Sequence, residues 1–346
     1  MSKIPPVLSL LPPEALAHSY DEIRKKYTPQ VYEALNLSLS GISTLSGKET
    51  LARIRAALRA LPEPVQARDF IQLNKPSADK DSHDEYCRIK RVPEDGSLNV
   101  YTHAILRAYE EFVEDSTSGS SSLTDRQWHQ LRGAFDSMLR FLSGDLAIEN
   151  LRGEELPEKS SWRHQHPCEP LARWLCGHHV FLVLIQCVIT ALNCFFDAYK
   201  ARDLQLSALA LDLTTKLFDG CSVALHFAGD FSPTVYEASV RPTMMPPQVP
   251  PGMSGVLARD HEYLVRLLRT QKQVFKELDP VTRQRYTKLV CAFENTYESH
   301  KLVCSHFVGD EGPSLLNRDE QAEAAVEVLD KVKHIRLRSF HEHVGQ

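Results

Sequence analysis

Glycine is sparse in this chain, 15 of 346 residues, and stretches of alternating apolar and polar residues are almost absent. A large sheet needs both, so these shortages argue against a mainly β architecture. The eight cysteines, from Cys87 to Cys304, contain no C-x-x-C pair and no regular spacing. That pattern fits reduced thiols better than a disulfide framework. The motifs G-x-S-x-G, G-x-G-x-x-G, H-E-x-x-H and the P-loop are missing, which lowers the common hydrolase, nucleotide and zinc-protease readings. A net charge of -5 gives no electrostatic reason to expect a nucleic acid or an anionic membrane as partner. The start, Met1 to Pro6, lacks the apolar core of a signal peptide. Val180 to Phe196 is strongly apolar, but Gln186 and Asn193 interrupt it and Asp197 follows, so it reads as a buried core helix. The expectation is a cytoplasmic protein with no nucleic-acid or membrane partner; a homodimer is left open.

What is present is helical periodicity. Ser43 to Leu61 carries Leu45, Leu51, Ile54, Ala57 and Leu58 at helical spacing, and Val100 to Val113 repeats the pattern. Asp69 to Leu73 and Tyr86 to Ile89 read as short extended pieces. Asp115 to Ser122 reads as a flexible loop by composition. Thr124 and Gln127 then offer a capping box to a helix running through Phe141. Leu151 to Pro170 is polar and irregular. Five long helical patterns follow, near 170–200, 205–228, 254–278, 280–308 and 318–342. The fourth opens with Asp279-Pro280, an N-cap and a proline at the first helical position. Gly229 to Gly252 is a proline-rich, irregular stretch of the kind that usually serves function. The fold expected is all-α, with an N-terminal region at 1–122 packed on a main helical domain at 123–346.

Within the fourth pattern, His300 and Cys304 are four residues apart and share one face, roughly 6 Å apart along the axis. His300 borders an apolar stripe with Phe293, Val303 and Phe307, so it points inward. A lone inward histidine is more often a hydrogen-bonded core residue than a ligand. A zinc site from His300, Cys304, His306 and the distant His261 is also open, although His306 lies about 120° round the helix from His300. Trp162 to Cys168 places two histidines and a thiol in one loop, which reads as polar surface. His178 and His179 diverge by about 100° and read as structural.

These residues carry a resemblance. His300-x-x-Val303, continuing to Val308-Gly309, is similar to the proximal-histidine helix of the tryptophan 2,3-dioxygenase superfamily. Those are all-helical proteins with one haem. Phe231-Ser232-Pro233 through Tyr236 to Val240-Arg241-Pro242 resembles the superfamily's substrate loop, which ends on an arginine for an amino-acid carboxylate. The superfamily often has arginine two positions after the valine, where this chain has Ser305, with Cys304 before it. The set His261, His300 and Cys304 resembles instead the haem-dependent aromatic oxygenase branch. The resemblance covers roughly residues 170–310.

That branch implies a peroxygenase that hydroxylates the ring of a methylated tyrosine, or tyrosine, to a catechol with hydrogen peroxide, in natural-product biosynthesis. It implies a c-type haem held by a single thioether to Cys304, with His300 and His261 as iron ligands. Two tight histidines leave no site for peroxide, so His261 is expected to detach and then serve as distal acid–base. His226, near the end of a helix beside the loop, is a second distal candidate. Arg241 is the candidate for the substrate carboxylate, by its planar fork. Tyr236, Phe231, Met244 and Met245 are candidates for the ring pocket. The alternatives are an oxygen-dependent dioxygenase acting on an indole, and a bis-histidine haem protein for electron transfer or sensing.

Overall fold

The computed structural model describes residues 4–40, 46–64, 77–92, 98–117, 121–146, 169–310 and 324–341. The pieces expected at 69–73 and in the loop 162–168 lie outside the described residues. The first part contains β1 (Leu8–Leu10), α1 (Tyr20–Lys25), α2 (Pro29–Leu39), α3 (Gly47–Ala60), α4 (Lys80–Tyr86) and β2 (Ile89–Arg91). It continues with α5 (Asn99–Asp115) and α6 (Asp125–Ser143). The second part contains α7 (Pro170–Lys200), α8 (Leu204–Ala228) and the short turn α9 (Pro233–Val235). It ends with α10 (Arg259–Thr270), α11 (Lys272–Lys276), α12 (Pro280–Val308) and α13 (Ala325–His341). β1 and β2 pair in parallel, Leu8 opposite Ile89, and form the one sheet among the described residues. The all-α reading holds; of Tyr86 to Ile89, only Ile89 is strand, since Tyr86 ends α4.

α7 is the central helix. It starts on Pro170 at a first-turn position, and nearly all its side chains from Val180 to Ala198 are buried. It is long and apolar enough to cross a membrane, yet it is almost wholly enclosed by protein. α8 packs back along it after a tight turn capped by Asp203, whose carboxylate accepts from the Leu206 amide. Gly177 lets the two helices close: a Cβ there would stand 2.3 Å from that of Ala228. One hydrophobic core joins Leu8, Ile54 and Phe112 of the N-terminal part to Leu192, Phe218 and Leu289.

Several local signals are met. Thr124 and Gln127 form the capping box of α6, and Asp279 caps α12 by accepting from the Val281 and Thr282 amides. Two expectations need correction. The 254–278 pattern is broken: a 3-10 turn at Gly255–Leu257 precedes α10, and Gln271 interrupts before α11. Asp115 to Ser122 is not a loose loop at its described ends. Asp115 pairs with Arg173, and Ser121 and the Ser122 amide donate to the carboxylate of Asp230. Arg173 is fully buried and also donates to the Asp230 carbonyl at 3.1 Å, tying this segment to α7 and to the chain leaving α8.

Candidate active site

α7, α8, α10, α12 and α13 surround a cavity of about 270 Å3, mostly apolar, with four histidines on its wall. His261 comes from the first turn of α10 and His300 from α12, one turn before Cys304. His178 comes from α7 and His83 from α4. Burial lowers all four, so the rings are neutral: His83, His178 and His300 to about 4, and His261 well below its ordinary range. The standing positive charge of Arg336 adds to this at His261, and protonation there would also be opposed by any charge on His300 or His83. His300 in turn feels His178 and Arg336. The four histidines and Arg336 line the same cavity.

The frame that holds His261 is its neighbour Asp260, which is fully buried. Arg91 of β2 reaches both its oxygens, at 3.0 and 2.6 Å, and Gln186 of α7 donates to it at 2.8 Å. Arg91 also forks onto Asp84 of α4. The small sheet thus pins the start of α10 to α7. His261 itself is held differently. Its Nε2 accepts from Arg336 Nη1 of α13 at 2.6 Å, and the Tyr297 hydroxyl stands 3.5 Å from the same nitrogen.

His300 and Cys304 are both on the cavity wall, as their shared helix face requires. Burial pushes the Cys304 thiol up to about 11, so it is protonated. No group of three or more metal-binding side chains exists among the described residues, and His306 is turned to the carbonyl of Phe231 at 3.0 Å. The zinc alternative loses His306, its fourth candidate ligand. Two neutral imidazoles and a thiol at an apolar cavity are a donor set suited to a haem: nitrogens for the iron, sulfur for the ring edge, and hydrocarbon for the macrocycle. His261, His300 and Cys304 would hold it.

The loop residues divide. Arg241 and Tyr236 are on the wall, and Arg241 already binds Glu237 at 2.6 Å through one arm of its fork. Tyr236 stacks on Phe307 with centroids 4.2 Å apart, and Trp174 touches both rings. Phe231 backs this cluster through Phe307, and Met244 lines the cavity. Met245 does not: it is 43% exposed. His226, expected as a second distal group, sits in the last turn of α8 but is not on the cavity wall. The correction has a counterpart in His178. Its Nδ1 is 2.7 Å from the Trp174 carbonyl, so that nitrogen is the donor and Nε2 keeps the lone pair. His179, by contrast, has both nitrogens engaged, with Glu111 and the Cys87 carbonyl, each at 2.8 Å. His179 fits the structural reading, whereas His178 lies on the cavity wall. Sequence reasoning also missed His83, Trp174 and Arg336. A usable signal existed for one of them: Trp174 lies four residues before His178 on α7, on the same face.

Residues 9–285 match the family described as SfmD 3-methyl-L-tyrosine peroxygenase. The chain belongs to this family. It is 31% identical to the 3-methyl-L-tyrosine peroxygenase of Streptomyces lavendulae over 334 residues, 95% of this chain and 89% of that one. It is also similar to the crystal structure of reduced SfmD, obtained by soaking with sodium hydrosulfite. The TM-score is 0.69 at 29% identity, over 86% of this chain and 97% of that chain. The family makes this chain an oxidoreductase, a peroxygenase. The matched span includes Arg241 and His261 and ends before His300.

Proposed function

We propose that the protein is a haem peroxygenase that uses hydrogen peroxide to hydroxylate the ring of 3-methyl-L-tyrosine, or of tyrosine, to a catechol in natural-product biosynthesis. The observation that carries this is the pair of neutral imidazoles, His261 and His300, at one apolar cavity with an unionised thiol four residues beyond His300. His300 and His261 would hold the iron, and Cys304 would anchor the haem by a thioether. The bound haem would supply the redox iron at which peroxide is activated. The balance is one ring C–H and one peroxide giving one phenol O–H and one water.

The remaining roles fall to side chains. Arg241 would take the substrate carboxylate with the arm of its guanidinium that Glu237 does not use. Tyr236 and Trp174 offer aromatic faces to the substrate ring. His261 is neutral, and whenever its Nε2 is free of Arg336 it would be placed to move a proton between the two peroxide oxygens.

The test is turnover without oxygen. Purified holoenzyme given 3-methyl-L-tyrosine and oxygen-18 hydrogen peroxide under argon should yield a catechol carrying one labelled atom. A product formed only in air would favour a dioxygenase. Absence of turnover with any phenolic amino acid would favour the electron-transfer reading.

A further inference from the structure

α13 is fastened to α12 along one flank: Lys301 Nζ meets Asp330 at 2.7 Å, and Lys333 pairs with Glu298. Its other flank gives Val328, Leu329 and Val332 to the cavity wall, and Arg336 one turn further on. Arg336 then crosses to α10. Its Nη1 donates to His261 Nε2 at 2.6 Å and also to the Tyr297 hydroxyl, while its guanidinium carbon lies 5.7 Å from the Tyr297 ring centre.

A guanidinium does not give up its proton, so the polarity of the bond is fixed: Arg336 donates and Nε2 accepts. A neutral imidazole has one lone-pair nitrogen. In His261 that nitrogen is Nε2, and Nδ1 carries the proton. A metal ion takes the same lone pair. Iron and Arg336 are therefore exclusive partners of one atom.

We propose that Arg336 is the partner that receives His261 when it leaves the iron, so that the C-terminal helix sets how readily the second axial position opens to a small ligand. This rests on the reading of His261 as an iron ligand. Arg336 is a positioning residue; it acts through His261. A detached His261 with no donor would keep a buried, unpartnered nitrogen, which disfavours the open state about tenfold to a hundredfold.

The experiment is a cyanide titration of the ferric holoenzyme, followed by its absorption spectrum. Arg336→Met keeps the stem and removes the donor, and it should weaken cyanide binding about tenfold or more. Arg336→Lys restores a donor and should recover most of the affinity; it also serves if the Met variant does not fold. His261→Ala should bind cyanide tightly, and adding Arg336→Met to it should change the affinity less than about twofold. Unchanged affinity in Arg336→Met, with tighter binding in His261→Ala, overturns the role of Arg336 and leaves the axial role of His261 standing. No tightening in His261→Ala overturns the axial role, and the inference with it.

Discussion

Asp260 and His261 are adjacent on α10 and are held in opposite ways. Asp260 is buried under three hydrogen bonds, from Arg91 and from Gln186, so the first turn of α10 is locked to β2 and α7. His261 has one close partner, Arg336, which reaches it from the last helix described. A frame built this firmly fixes where the imidazole is rooted, while the single contact leaves its ring free to exchange partners. The lesson is that position and coordination are assigned to neighbouring residues, and each can be broken without the other.

The largest effect should come from breaking the frame. Asp260→Ala leaves Arg91 with Asp84 as its one carboxylate partner, beside the Leu11 carbonyl, and should cost about 3–5 kcal/mol of stability in the haem-free protein, measured by urea denaturation. His261→Ala, one residue on, should cost less than about 1 kcal/mol in the same assay. Equal losses in the two variants would erase the distinction.

A smaller effect sharpens the contrast from the cavity side. His178 is held near 4 by burial, below its unfolded value of about 6.5. As the pH falls, the unfolded chain binds this proton first, so the stability is whole above about 6.5 and drains between there and 4. At pH 5 the single ring accounts for about 2 kcal/mol. The haem-free His178→Phe variant should therefore lose less stability than the parent between pH 7 and 5. An identical loss in both would mean that His178 is not buried as a neutral base.

Much of this was legible in the sequence where the signal is local. The bounds of α7 and α8, the proline start of α12 and the capping box of α6 depend on residues within a few positions of each other. The shared face of His300 and Cys304 is local in the same sense. What was not legible depends on long-range pairing. Asp115, Ser121 and Ser122 belong to a stretch of loop-forming composition, yet Arg173 and Asp230, from other parts of the chain, hold these three residues. His178 and His179 look alike in sequence; only the approach of Glu111 and the Cys87 carbonyl separates them. Arg336 meets His261 across 75 positions, and no periodicity announces that. His226 is another such case: it is near the loop in sequence and yet is not on the cavity wall.

The central claim is that the cavity between α10 and α12 holds a haem anchored at Cys304. The mass of the purified, denatured protein tests it most directly. The account predicts a chain heavier by one haem, reduced to the bare polypeptide mass in Cys304→Ala. A parent chain at the bare mass, or a Cys304→Ala chain still carrying the haem, would contradict it.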